Sequence, residues 1–535
     1  MGRERHLARN QRAIPRTNSL LNKYLGQIAQ RYFVEKNKRS FFSASSVFSL
    51  VIFLLSGVFA AFGQPDRGFF LCLLALLFGF SGIIYLLKDV KKGRFWLAFF
   101  WAVCVFSFEL SWLSTTHYHG LGIFFVYLVV VLLFAFQFAA LPITKKFSLF
   151  SGLVIASIWT LFEWSRLFIL CGFPFSPVGL ILTAHPLFMQ TASIFGIYGL
   201  SFLVIFLSYL LAFFRVKSFA ACLGVLALFG FCHLEFFGGK NIHKSFYSVA
   251  LLQTGLSVEE KETMDEEIQW ERIFSFLKES NNKQFDLIVF PEVAMTFGKK
   301  DLHLDFARKL SELYKSEVVI GLVDEEYNAA FHLSAETDAV ARYEKRVLVP
   351  VGEYLPFSFL GSFLENYGIT SFFEHGKEAK VFLGKIPISV SICFEEGFGN
   401  LIREGKNLGA ELFVNLTNDG WFPNSRLAVE HFNLAKVRAI ENGVFVLRAC
   451  NTGVTGVIDP FGKVIHSLPE GSIGVQKALI NCYSYPTIFA KFGNCLIVSL
   501  SSLCVLLNFL IKRDCLSKVL CSVRERFRRY FGIAM

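Results

Sequence analysis

Hydrophobic residues along this chain fall into two different patterns. Up to residue 237 they form long unbroken runs, at 41–63, 69–87, 95–114, 121–142, 147–164, 189–214 and 219–237, and one further run occupies 488–511. Each is close to the roughly 20 residues that a helix needs to cross the hydrocarbon core of a bilayer. Seven membrane helices before a long polar region, and an eighth after it, are therefore predicted. The first run follows a polar tail of about forty residues with no small-residue cleavage site behind it, so a removed signal peptide is not expected.

Between 238 and 487 the period changes. Short apolar, β-branched stretches read as buried strands: YSVALLQ (247–253), FDLIVF (285–290), EVVIGLV (317–323), PISVSIC (387–393), ELFVNL (411–416) and VFVLRA (444–449). Helical spacing recurs between them, at 265–280, 302–314 and 427–442. Strands alternating with helices predict a layered α/β domain, and about 240 residues are ample for one core. The stretch 355–375, LPFSFLGSFLENYGITSFFEH, is too apolar for a solvated loop. It reads either as a buried connection or as a lid that touches the membrane.

Composition strengthens the membrane reading. The chain of 535 residues is 54% hydrophobic and 18% charged, with 64 Phe and a mean hydropathy of +0.49. A soluble domain carries closer to a quarter charged residues. The net charge of +11 raises nucleic acid as a partner, but the basic residues crowd at the two ends and in short loops. That distribution is an orientation signal, and no nucleic-acid partner is expected. Loops after the second, fourth and sixth runs hold Lys88, Lys91, Lys92, Arg94, Lys145, Lys146, Arg215 and Lys217, whereas those after the first, third and fifth hold Arg67 and Arg166. Both ends are thus expected in the cytoplasm. The expected organisation is a basic tail (1–40), a membrane domain (41–237), an outer domain (238–487), an eighth span (488–511) and a second basic tail (512–535). Glu163 and Arg166, near the outer end of the fifth run, read either as a pair or lipid head-group contact or, more plainly, as interfacial charges that snorkel, and Glu109 reads the same way.

Of 12 cysteines only Cys393, Cys450 and Cys482 lie in the outer region, and no spacing suggests a disulfide framework or a zinc site. A cysteine ending an apolar strand is more often packing than chemistry. Its neighbours change the balance. Glu292 follows a strand in FPE, Lys345 leads into the ordered loop LVPVGEYLPF, and Cys393 ends PISVSIC before two acids. Acyl transfer needs a carboxylate to take the thiol proton, a thiolate to attack a carbonyl, and an ammonium to hold the resulting charge. A lysine beside the thiol is also expected to lower its pKa.

Those residues carry a resemblance. FPE (290–292), YEKRVLVPVGEY (343–354) and SICFEE (391–396) are similar to the three signature segments of the nitrilase, or carbon–nitrogen hydrolase, superfamily. NLTNDGWF (415–422) and the run 431–462 extend the match, and SWLSTTHYHG (111–120), GFPFSPVG (172–179) and FGIYGLSF (195–202) extend it into the membrane half. Past residue 40 the chain resembles the membrane-embedded branch of that superfamily, the apolipoprotein N-acyltransferase family. The resemblance implies a polytopic α-helical membrane domain of about eight spans and an extracytoplasmic nitrilase-like α-β-β-α sandwich. It implies Glu292 as general base, Lys345 as oxyanion stabiliser and Cys393 as nucleophile. Glu353 and Glu395 match near-site acids, for which a structural hydrogen bond is the plainer role, and Trp421 and Phe422 match a loop at the site mouth. No metal or other cofactor is implied.

The implied reaction moves a fatty acyl chain from a membrane phospholipid, through a Cys393 thioester, to the α-amino group of a diacylglyceryl apolipoprotein. The implied setting is the bacterial inner membrane, with the catalytic domain periplasmic. Three departures from the family pattern stand out: Phe394 in place of a tyrosine, Thr254-Gly255-Leu256 after the first strand with no tryptophan in 257–267, and Phe175 ending the GFPF element. Two other classes fit parts of the pattern. A membrane-tethered amidase would share the triad, and a transporter or receptor would share the spans.

Overall fold

The computed structural model describes residues 44–63, 68–115, 121–169, 172–238, 246–278, 284–295, 300–354 and 373–531. The expected N-terminal tail and most of the apolar stretch 355–375 lie outside the described residues. Residues 1–54 and 55–535 form two compact units, the described part of the first being helical throughout.

Every apolar run is mostly helical where described. The helices are α1 (Ala44–Phe62), α2 (Phe69–Leu87, with a π-helical turn at Ala75–Gly79), α3 (Arg94–Glu109), α4 (Leu121–Ala139), α5 (Leu149–Ser165), α6 (Ala192–Ala212) and α7 (Val216–Gly238). Among the described residues four helices are both long and apolar enough to cross a bilayer: Phe69–Leu87, Ala192–Ala212, Val216–Gly238 and the stretch Cys495–Arg513. Helix α6 is central, with Leu200, Val204, Leu207 and Leu210 fully buried, whereas α7 leaves Val225, Leu228 and Phe231 exposed. An exposed apolar stripe of that kind suits lipid contact.

Two features depart from the expected spans. Helix α6 is broken at Gly196 (φ 65°), where a Cβ would stand 2.4 Å from the Phe489 ring. The last run is broken as well, since a short helix Ile488–Phe492 ends at Gly493 (φ 57°). The chain then restarts as one helix that passes residue 511 and runs on to Phe531, through much of the expected basic tail.

The region between α7 and the short helix Ile488–Phe492 holds two six-stranded sheets, ordered β12-β1-β2-β3-β4-β5 and β11-β10-β9-β8-β7-β6. In the first are β1 (Tyr247–Gln253), β2 (Leu287–Val289), β3 (Glu317–Asp324), β4 (Tyr327–Ser334), β5 (Thr337–Glu344) and β12 (Gly474–Ile480). In the second are β6 (Val381–Phe382), β7 (Ile388–Ile392), β8 (Leu412–Thr417), β9 (Phe445–Cys450), β10 (Thr455–Ile458) and β11 (Val464–Leu468). Strands β1, β2 and β3 run parallel, as do β7, β8 and β9.

Alternation along each strand sorts the side chains into three layers of core. Val249, Leu251, Leu287 and Val289 meet Ile388, Ile392, Leu412 and Leu447 between the sheets. On the outer face of the first sheet, Ala250, Leu252 and Ile288 pack under α9 (Glu266–Lys278) and α10 (Lys300–Tyr314). On the outer face of the second, Phe413, Val446 and Ile458 pack under α11 (Gly399–Asn407) and α12 (Leu427–Asn442). Each such wholly buried Leu, Ile, Val or Phe contributes roughly 1.5–3 kcal/mol. The order helix, sheet, sheet, helix is the sandwich that the resemblance implies.

Candidate active site

The three residues of the expected triad leave their sheets at one end. Glu292 lies just past β2, Lys345 directly after β5 and Cys393 directly after β7. Because β1–β3 and β7–β9 run parallel, this is the carboxyl end of both sheets, where loops rather than side-chain layers line the surface. Lys345 is fully buried, and its Nζ donates to Glu292 Oε1 at 3.0 Å and to Glu353 Oε1 at 2.8 Å. Asn328 Nδ2 donates to the same two oxygens, at 2.8 and 3.1 Å. Burial alone would lower the Lys345 ammonium, but Glu292 and Glu353 outweigh it and hold the group well above its ordinary value. The lysine is therefore charged whenever the site is assembled.

Cys393 begins a short 3₁₀ turn with φ at +50°, a region that L-residues adopt at a cost. Cys393 as a whole is half-buried. Burial first, and then Glu292, push the thiol well above its ordinary pKa, and Lys345 only offsets part of this. The lysine lowers it, as expected, but burial and Glu292 outweigh that effect. The resting sulfur is a thiol and needs a base.

Behind Cys393 lies a buried charge network that the sequence reading passed over. His431 Nε2 meets the Cys393 carbonyl oxygen at 3.0 Å and His431 Nδ1 meets Asp419 Oδ1 at 3.0 Å. Arg448 ties the network together, with Nη2 3.0 Å from Asp419 Oδ2 and Nε 3.1 Å from Glu396 Oε2. Burial opposes ionisation of Asp419, but Arg448 and His431 hold its carboxyl well below the carboxylate range. These partners fix the turn that carries the sulfur.

Glu395 is a clamp. It accepts from the Tyr343 hydroxyl at 2.9 Å, from the backbone N–H groups of Arg346 and Val347 at 2.6 and 3.1 Å, and from that of Ile392 at 2.8 Å. It therefore ties the lysine's strand end to the cysteine's. Glu353 likewise accepts from Val349 N at 2.8 Å and closes its own loop. For both acids the structural hydrogen bond is present, and for Glu353 the contact with Lys345 as well.

Aromatic side chains join this end of the sandwich to the membrane helices. Phe394 packs on Phe175 with ring centroids 5.8 Å apart, and Trp112 meets Phe175 and Phe422 at 5.2 Å each. Trp421 and Phe422 follow β8 in the short turn Asp419–Trp421 and the residue after it. The loop between α5 and α6 docks on α12: Glu430 accepts from Ser176 N, and Lys436 Nζ donates to Thr183 O at 2.9 Å. Glu163 and Arg166 do not snorkel. Both are buried, Glu163 accepting from Trp159 Nε1 and Val178 N, and Arg166 donating to Gln137 and lying 3.4 Å over the Phe134 ring. Glu109 is buried too. Through Val178 N, Glu163 braces the loop that faces the site.

Comparisons with known proteins match this division of the chain. The carbon–nitrogen hydrolase family model matches residues 248–486, and that of the apolipoprotein N-acyltransferase N-terminal domain matches residues 56–210. Among solved structures, a nitrilase-superfamily protein of Saccharomyces cerevisiae is 18% identical with a TM-score of 0.34, covering 46% of this chain and 93% of its own. An amidase from a Nesterenkonia species is 18% identical with a TM-score of 0.35, covering 48% and 95%. Curated relatives cover far more. An apolipoprotein N-acyltransferase of Chlamydia muridarum is 30% identical over 540 residues, 87% of this chain and 98% of its own. One of Haemophilus ducreyi is 30% identical over 462 residues, 79% and 90%. The chain belongs to the apolipoprotein N-acyltransferase family.

Proposed function

We propose that this protein N-acylates lipoproteins by a two-step relay through Cys393. It is an acyltransferase of the membrane, and Glu292, Lys345 and Cys393 carry the chemistry. In the first half-reaction Glu292 takes the thiol proton and the sulfur attacks an ester carbonyl of a phospholipid. Lys345 faces the oxyanion; a well-placed donor of this kind is worth roughly 3–4 kcal/mol of barrier. The carbon–oxygen bond then breaks, the departing lysophospholipid oxygen takes the proton back from Glu292, and a thioester remains. In the second, Glu292 deprotonates the α-ammonium of the diacylglyceryl-cysteine acceptor. The amine attacks the thioester, the carbon–sulfur bond breaks, the sulfur takes the second proton of the amine as the amide forms, and Glu292 gives its proton up to water.

The membrane part explains the tether. Drawing a chain of about sixteen carbons out of a bilayer, at roughly 0.8 kcal/mol per CH₂, would cost more than about 10 kcal/mol. A site that opens at the membrane surface avoids this. On this reading the eight apolar helices are spans of the inner membrane, both ends are cytoplasmic, and the sandwich is periplasmic.

The observation that supports the relay is the meeting of Lys345 with Glu292 and Glu353 beside a thiol that burial keeps protonated. Intact mass measured after incubation with a defined phospholipid is the test. Wild type should gain one fatty-acyl mass, lose it on addition of a diacylglyceryl peptide, and Cys393→Ser should gain none. Acyl release to water with no peptide N-acylation would replace the relay with a tethered amidase.

A further inference from the structure

The segment 257–267 departs from the family pattern, and its one wholly buried cation is Lys261. Helix α8 (Val258–Thr263) starts with a reciprocal cap, Ser257 Oγ accepting from Glu260 N at 3.1 Å and Glu260 Oε2 accepting from Ser257 N at 2.7 Å. The residues leading into it are tied to the end of β9, since Gly255 N donates to Asn451 O at 2.8 Å and Asn451 Nδ2 to Leu256 O. The helix is thus fixed where it begins. Lys261, only 2% exposed, points from it into the sandwich, and its Nζ donates to Val293 O at 2.6 Å and reaches Glu292 O at 3.5 Å. Burial pulls this ammonium down to about 8, with Glu292 and Cys450 pulling the other way.

The turn that receives those bonds is strained and gripped from its other side as well. Val293 is β-branched and sits at φ +40°. Opposite, Gly321 of β3 leaves no room for a side chain: a Cβ there would stand 2.8 Å from Pro291 O and 2.9 Å from Glu292 Cα. Ala294 N donates to Gly321 O at 3.0 Å. The Glu292 carboxylate has Oε1 engaged by Lys345 and Asn328, while Oε2 has no hydrogen-bond partner among the described residues. Where that free oxygen points is set by the backbone of the turn.

We infer that Lys261 is a positioning residue for Glu292, holding the strained 291–294 turn against β3 so that the free carboxylate oxygen faces the Cys393 thiol. The inference rests on Glu292 being the base. It predicts that Lys261 affects proton removal and leaves lipid binding alone.

Two measurements test it: the rate of Cys393 alkylation by iodoacetamide, followed on its own peptide by mass, and the kinetics of acyl transfer. Glu292→Gln should slow alkylation, and Lys261→Met should slow it by a similar factor. The double variant should be no slower than Glu292→Gln alone, because both changes act through one carboxylate. In acyl transfer, Lys261→Met should lower kcat about 10- to 100-fold with KM for phospholipid unchanged, the scale expected for a misplaced catalytic group. Lys261→Arg, which keeps the charge and the N–H donors, should stay within about threefold of wild type. Lys261→Gln serves the same comparison if Lys261→Met does not fold. A wild-type alkylation rate in Glu292→Gln would sink the reading of the base, and this inference with it. A slow Glu292→Gln beside a normal Lys261→Met, or effects that multiply in the double variant, would sink the role of Lys261 alone.

Discussion

Glu395 shows how far a single side chain is readable from sequence. Its place beside Cys393 in SICFEE marks it as an acid of the site, and the family resemblance keeps it there. Its task became visible only with the fold, because its partners Tyr343, Arg346 and Val347 lie about fifty residues earlier. Burial raises its carboxyl, and the N–H groups of Ile392, Arg346 and Val347 offset only part of that rise. Glu395→Gln puts an amide donor where donors already point, so at least one buried N–H is left unmatched. Such a loss costs about 1–3 kcal/mol. A lower melting temperature and weaker acyl transfer are expected together, read by thermal unfolding in detergent and by the transfer assay. Asn328 also binds two acids of the site, yet it was missed, because nothing in DEEYNAAFH distinguishes a site asparagine from a turn one. Asn328→Asp would set a third carboxylate beside Glu292 and Glu353, and a fall of at least about tenfold in kcat is expected from the added like charge.

At the scale of elements, continuous apolar runs were found and polar strands were not. Strands β1, β3, β7, β8 and β9 stand where uninterrupted Val, Ile and Leu placed them. Strand β5, TDAVARYE, is an edge strand whose first four residues are exposed, so it carries no hydrophobic run to read. Periodicity also gave no sign of the break in α6, because a run apolar on every side looks the same whether straight or broken. That break has an electrostatic partner: Ile197 N, just past Gly196, donates to Glu441 Oε1 of α12 at 3.0 Å, and Arg438 Nη2 lies 3.0 Å from the same oxygen. Burial pushes the Glu441 carboxyl up to about 7.

A folded pKa above the unfolded one means that the folded state binds more protons between the two values. Stability should therefore fall as pH rises from about 4.5 to about 7 and level off above that. The total is at most roughly 3 kcal/mol from this group. Glu441→Gln keeps an oxygen for Ile197 N and should flatten that slope, as seen in melting temperatures taken across the window. An unchanged slope would place the titration elsewhere.

For the whole molecule, the division into apolar helices and an α/β sandwich was legible from the change of hydrophobic period near residue 238. What sequence could not show is how the two parts grip each other. That depends on Trp112 against Phe422, Glu430 on Ser176 and Lys436 on Thr183, contacts between residues hundreds of positions apart. Orientation follows from loop charge alone and is open to a direct check. A green fluorescent protein fused after residue 535 should glow, since it folds in the cytoplasm. Alkaline phosphatase inserted in the exposed β4–β5 turn, at residues 335–336, should be active, since it folds outside. The opposite pair of results would invert the topology and put the site on the wrong face of the membrane for its substrates.

The left-handed backbone at Cys393 carries a cost that the side chain alone can justify. Glycine ordinarily destabilises a folded chain by about 0.5–1 kcal/mol relative to alanine, and a residue with a Cβ is penalised by roughly 1–2 kcal/mol in this conformation. At this position the usual order should invert, with Cys393→Gly melting above Cys393→Ala. Inactive chains freed of their sulfur could then outlast versions that keep a Cβ there, which would make thermal robustness a poor guide to competence in this enzyme.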